Sequence, residues 1–370
     1  MSMQTQLAAG LARLVQACNV LAGRVQPPGG ALGQVLTKTA AANYASAWQT
    51  PAGGGGGAPA GPPASVQFNN VGVMDGAANV DIIGGDLNLG LSTPGASPAN
   101  TLTLFPQTIA GRMMLAMIGP SGLAADLQPF LARNKVGVWQ PQGNATTVPG
   151  VFGYTAPTAV GTATARNVAT TNFFTRLRRL GYASVATAAG FAELRVPVAQ
   201  VTLGDGAGLG GFTKVLRFGI SDAAAVAGAR MFAGVSSFTA AATNVEPATL
   251  TNSIGMGHGA ADTTFKLYYG GSAAQTPIDL GVNFPCNTRS VDAYELALFA
   301  SPFAANSVGY MVTRLNTGQV ASGVLTAATA GLQLPLAATL LSYQKIWRTN
   351  NATALAVALD VAGDYIETDN

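Results

Sequence analysis

The sequence predicts a mainly β protein with an N-terminal helical anchor, a thin β-rich shaft and a C-terminal β-sandwich of jelly-roll or lectin-like type. Three observations predict it. Leu7, Leu11, Leu14, Cys18, Leu21 and Val25 fall at spacings of 4, 3, 4, 3 and 4, an a/d heptad stripe. Residues 51–64, PAGGGGGAPAGPPA, form a Gly/Pro linker, because a glycine run orders at high entropic cost and the prolines extend the chain. From residue 182 to 370, alternating apolar runs follow one another with Gly, Pro and Asn turns between them and no helical pattern.

The helix over the first 25 residues is stopped by Gln26-Pro-Pro-Gly-Gly and weakened by Gly10 and Gly23. Nothing close behind it can give it a core, so the stripe predicts self-association or docking into a larger assembly. Residues 1–50 are read as an attachment segment tethered by the linker. Residues 65–97 contain short strands (SVQFNN, VGVMDG, ANVDII, GGDLNLGL), each too short to bury enough surface alone. Winding several chains around one axis would supply partners. Residues 98–181 read as a mixed connector: a strand at 101–107, a helix at 121–134 and a better helix at 171–180, capped by Thr171 or Asn172 and closed by Gly181. Arg176, Arg178 and Arg179 fall in the last turn of that second helix, where the dipole favours cations. Within 182–370 the candidate strands are 194–203, 212–220, 231–238, 263–269, 291–299, 307–315, 320–326, 339–347 and 354–366, with a hairpin turn at Asn316-Thr-Gly318.

Composition narrows the function. Of 370 residues, 9% are charged, against roughly 25% in an average globular chain. The net charge of +3 is too small for a nucleic-acid footprint. One histidine and two cysteines exclude most His/Cys zinc sites and iron–sulfur clusters and leave only Asp/Glu calcium sites open; no metal or cofactor is expected. Mean hydropathy is +0.31, yet Arg112, Pro120 and Asp126 interrupt the most apolar window, and no membrane insertion is expected. Arg13 breaks the only leader-like stretch.

The run GAGLGG at 206–211 matches a dinucleotide fingerprint, but an alternating segment rather than a helix follows it, so it reads as a tight loop. His258 sits in GMGHG with Asp262 nearby and Ser253 upstream. No GxSxG elbow accompanies them, and His258 reads as a loop residue with no catalytic set. Twelve carboxylates in the β region leave open whether a hydrolytic pair converges. For binding a glycan, aromatic faces and polar groups are needed. Tyr268, Tyr269 and Trp347 with Arg348 and Asn350 are the candidate receptor contacts, with Tyr343 and Asn351 beside them.

One stretch resembles a known family. Residues 31–48, ALGQVLTKTAAANYASAW, followed by Gln-Thr-Pro and glycines, resemble a recurring segment of bacteriophage tail fibres, roughly GQVLxKxSxxDYxxxW. Ala40 and Asn43 replace its usual small polar residue and Asp. Residues 65–70 (SVQFNN) with Asp75-Gly76 look like fibre-shaft segments. Residues 166–172 (RNVATTN) and 177–182 (LRRLGY) are similar to segments preceding fibre heads. The resemblance implies a homotrimer with a trimeric shaft, located in the virion tail. Its N-terminus would attach to other tail or baseplate proteins and its C-terminal domain would meet a host surface glycan or protein. The function expected is adhesion without catalysis. The alternatives are a structural virion component, such as a baseplate or collar connector or a head fibre, and a polysaccharide-degrading tailspike.

Overall fold

The computed structural model describes residues 3–22, 31–32, 34–40, 46–50, 65–70, 73–83, 86–94, 97–119, 124–126 and 135–368. The chain divides into two compact units, Met1–Leu91 and Ser92–Asn370.

In the first unit, α1 (Met3–Ala22) is the expected helix. Its stripe is uncovered in the single chain: Leu7, Leu11 and Leu14 are 77%, 63% and 61% exposed, and the Cys18 thiol is free and exposed. The side chain of Leu21, Val25 and the linker 51–64 lie outside what is described. The fibre-like segment folds as a hairpin of β1 (Val35–Lys38) and β2 (Ser46–Gln49), with Leu36 opposite Trp48. β3 (Ser65–Asn70), β4 (Val73–Ile83) and β5 (Asp86–Leu89) form a three-stranded antiparallel meander. The shaft strands thus find backbone partners within the chain, while Ile82, Ile83 and Leu87 stay more than half exposed.

The second unit opens with a small sheet of β6 (Thr103–Ile109), β7 (Arg112–Ile118) and β8 (Ala124–Asp126). Ala110 and Gly111, both at positive φ, make the two-residue turn of its first hairpin. Phe105, Ala116 and Ile118 form its core. The helix expected at 121–134 is not formed at 124–126, where the backbone instead pairs with the edge of β7; residues 127–134 lie outside the described residues.

The rest of the unit is a β-sandwich. Its elements are β9 (Lys135–Gln140), β10 (Gly150–Phe152), β11 (Thr158–Val160), β12 (Thr162–Ala165), α2 (Phe173–Arg176), β13 (Leu180–Ala183), β14 (Phe191–Arg195), β15 (Phe212–Ile220), β16 (Arg230–Ser236), β17 (Ser253–His258), β18 (Lys266–Gly270), β19 (Ile278–Asp279), β20 (Tyr294–Ala300), β21 (Ser307–Arg314), β22 (Gln319–Thr326), β23 (Ser342–Thr349) and β24 (Ala358–Thr368). Among the described residues, one sheet has nine strands along β10-β9-β24-β15-β20-β21-β22, with β13 joined to β24 and β12 to β13. The facing sheet has seven, β11-β14-β23-β16-β17-β18-β19. Inward side chains alternate as a half-buried strand requires. Phe212, Leu216 and Phe218 of β15 and Leu296 and Leu298 of β20 meet Met231, Ala233, Ile254, Met256 and Leu267 of the other sheet.

Two expectations are corrected here. The sandwich does not begin at 182, and 98–181 is not a separate connector: β9, β10, β12 and β13 complete one sheet and β11 edges the other. The reason lies in β24. One of its edges pairs with β15, and the other would be left open without β13 along 358–361 and β9 along 364–368. The helix expected at 171–180 is only α2. Asn172 caps it and forms a reciprocal capping box with Thr175, but Leu180 is drawn into β13. Arg179 lies beyond the helix but still donates Nη1 to the Thr175 and Leu177 carbonyls at its end. It pairs with Asp360 of β24 at 2.9 Å and lies over the Phe174 ring, and Arg166 holds the same carboxylate at 2.8 Å.

Candidate functional site

At one end of the sandwich, where β15 and β17 finish, lies a cleft of about 120 Å³. Its floor is Asp222, His258 and Arg348, and its walls carry Asp262, Cys286 and Arg289. Strand register builds the floor. His258 of β17 and Arg348 of β23 both flank Met231 of β16, so the two polar side chains stand in one row across three strands. Inward alternation from Ile254 through Met256 brings His258 to the edge of the core, where it meets the Phe265 ring edge-on at 5.7 Å.

Arg348 is 4% exposed and gives Nε and Nη2 to the Asp222 carboxylate in a two-point pair. Asp222 Oδ1 also accepts the backbone N–H of Ala358 at 2.6 Å. The remaining guanidinium nitrogen, Nη1, lies 2.7 Å from His258 Nε2. A guanidinium only donates, so Nε2 must accept, and the ring proton sits on Nδ1, which donates to the Gly259 carbonyl at 3.1 Å. Burial, reinforced by the Arg348 charge, pushes the imidazole down to about 3. Cys286 donates its Sγ–H to the Asp262 carbonyl, and burial raises its thiol to about 11. Asp262 is engaged with Lys266 at 2.6 Å, with the Tyr268 hydroxyl and with the Gly259 N–H. Burial works against its ionisation, yet these bonds hold the carboxyl below its usual value.

The chemistry of the cleft follows. Its histidine is spent as an acceptor and its thiol is protonated at neutral pH, so neither is an activated nucleophile or base. At the mouth, Arg289 is exposed, and among the described residues it has no carboxylate partner. Its one bond runs to the Asp222 carbonyl at 3.4 Å. With exposed Asn287 beside it, the mouth offers hydrogen-bond donors to an incoming polar or anionic group.

The receptor contacts expected from sequence are placed differently. Trp347 is 2% exposed and stacks on Phe232 at 6.4 Å, in an outer cluster with Tyr268 and Ala242, packed by Phe191 and Leu250. The alternation does put these aromatics on the outer face of the seven-stranded sheet. The segment 237–252 then closes over them, held by Glu193, which accepts the Ala242 N–H, and Lys345, which donates to the Ala240 carbonyl. Tyr269 is half-buried against the main core, and Tyr343 is buried within it. Asn350 is fully buried, and its amide ties the carbonyls of Thr187 and Leu355 together. Trp347, Tyr268 and Asn350 thus have no open face for a sugar, because packing and loop bonds use it. Of the five chosen residues only Arg348 lines the cleft.

His258 is a strand residue, not a loop residue. Its strand was missed because SIGMGH reads as glycine-rich loop. A Cβ on Gly257 would lie 2.1 Å from the Met231 carbonyl oxygen, so these glycines mark close strand approach. The GAGLGG run is a tight loop, with Asp205 Oδ1 accepting from the N–H groups of Ala207 and Leu209, and it leads directly into β15. Among the described residues no group of three or more His, Cys, Asp or Glu side chains is placed to hold a metal ion, and no helix is long and apolar enough to cross a membrane.

No family model matches the chain. No curated protein matches it in sequence. Solved structures offer distant likenesses over about two thirds of the chain. Peanut lectin with a nine-residue peptide is 7% identical, covering 64% of this chain and 97% of that one, with a TM-score of 0.41. A protein of unknown function from Shewanella oneidensis MR-1 is 9% identical over 65% and 90%, at 0.40. The CBM2 module of the evolved Dit of Lactobacillus casei BL23 phage J-1 is 12% identical over 65% and 91%, at 0.36. At these scores the likenesses carry no functional argument, and function is argued from this chain's own residues.

Proposed function

We propose that the chain is a phage receptor-binding protein of the tail-fibre kind, which adheres to the host surface without altering it chemically. The observation that carries this reading is the uncovered leucine stripe of α1, in a unit separate from a large, fully packed sandwich. An apolar helix face of that kind needs partners. The fibre-like segment at 31–48 supports the same division of labour. Three chains joined through α1 would present three copies of the sandwich. Three weak sites gain roughly 10²–10⁴-fold in avidity when they engage together.

The test is direct. Full-length protein is measured by light scattering and then titrated onto host cells and onto their purified surface polysaccharide. A trimer mass with saturable binding and no release of reducing ends is the expected result. A monomer mass without cell binding would overturn the reading. Reducing-end release would replace adhesion with depolymerase activity.

A further inference from the structure

The interior of the sandwich contains one ionic pair unlike the others. Lys214 lies on the inward face of β15 between Phe212 and Leu216, and Asp364 lies on the adjacent β24, opposite Leu216. The β24 register shifts there: Arg217 pairs with Gly363 but Phe218 with Val361, leaving Ala362 as the extra residue. That bulge lets both Val361 and Asp364 face inward. Both side chains of the pair are 0% exposed. Lys214 Nζ donates to Asp364 Oδ1, and Asp364 Oδ2 accepts from Gln344 Nε2 of the facing sheet at 2.8 Å.

The contrast is with the other buried lysine. Lys345 donates to both Glu193 and the Ala240 carbonyl and lies over the Phe238 ring, while Glu193 is also bonded by Arg195 and by the Ala242 N–H. An ammonium has three N–H bonds. Among the described residues, Lys214 finds one acceptor for them. A charged form so poorly supplied, with both side chains fully buried, is the costly one. Moving one proton along the existing hydrogen bond leaves a neutral amine beside a neutral carboxylic acid. Burial pushes in that direction for both partners, lowering Lys214 and raising Asp364, opposed by their mutual attraction. Tyr154 reflects the same surroundings: burial, together with the charge and hydrogen bonding of Asp364, holds its phenol far above its ordinary range.

We propose that Lys214 and Asp364 condense into an intramolecular amide, a covalent cross-link between β15 and β24. The proton passes from Nζ to Oδ1. The Nζ lone pair then attacks Cγ, and the charge that develops on Oδ2 is met by the Gln344 amide N–H. A second nitrogen proton moves to Oδ1, the Cγ–Oδ1 bond breaks and Oδ1 leaves as water. One N–H stays on the new amide. The reaction is a dehydration and needs no oxidant, reductant or co-reactant. A bond here ties the last strand of the chain to the middle of the nine-stranded sheet across 150 residues of sequence. The chemistry does not depend on what the domain binds.

Intact mass spectrometry of the purified full-length protein tests the proposal, followed by protease digestion and peptide mapping. The expected mass is that of the sequence less one water, with one branched peptide joining the β15 and β24 segments through Lys214 and Asp364. Lys214→Met should restore the full mass, and Gln344→Ala should leave a fraction of the chain unjoined. An unreacted wild-type mass, or a lost water mapped elsewhere, overturns the proposal. The wild-type measurement decides the matter even where a variant fails to fold.

Discussion

Arg348 shows how one buried cation organises the end of the sandwich. It satisfies Asp222 twice and His258 once, and each of those groups is itself tied to backbone. Removing the charge of Asp222 strands a guanidinium in the core. Asp222→Ala should cost about 3–5 kcal/mol, read by urea unfolding. His258 sets a pH dependence. Its folded value, about 3, lies below the roughly 6.5 of an unfolded histidine, so the unfolded chain binds the extra proton. Its contribution is present above about pH 6.5 and is lost as pH falls towards 3. In that window wild type should lose up to about 1.4 kcal/mol per pH unit more than His258→Gln, measured by denaturant titration across a pH series. Arg289 makes the opposite case, because it is exposed and supports no packing. Arg289→Ala should leave the melting temperature unchanged and weaken each site's ligand binding by about tenfold, as loss of a charged hydrogen bond does. Unchanged cell binding would remove the cleft mouth from the contact surface.

At the scale of elements, the period of two was legible where it ran unbroken. The expected strand at 212–220 is β15 to the residue, and 307–315 and 320–326 differ from β21 and β22 by one residue at one end. It was not legible in β17, where glycine replaces the apolar partner so that neighbouring backbones can approach. Gly257→Ala should therefore destabilise the fold by about 1–3 kcal/mol or leave it insoluble, although alanine is the smallest change available. The α1 stripe was legible because heptad spacing is local. If α1 joins the chains as proposed, Leu11→Glu with Leu14→Glu should leave only monomers by light scattering. The melting of the sandwich, in the other unit, should be unaffected.

For the whole molecule, the sequence by itself determined the β class, the N-terminal helix and its stripe, and the all-β character of the C-terminal half. These follow from patterns whose partners lie within a few residues. Tertiary structure alone decided where the sandwich begins, since β24 recruits β13 and β9 from the far side of the chain. It also decided which aromatics are reachable. Trp347 and Tyr268 point outward, as alternation requires, but residues 237–252 cover them, and no spacing rule near residue 347 records a lid that far away. The same holds for the cleft. Asp222, His258 and Arg348 are scattered over more than a hundred residues: His258 and Arg348 meet because three strands pair in one register, and Asp222, just beyond β15 of the facing sheet, joins them because opposite charges must meet wherever water is excluded.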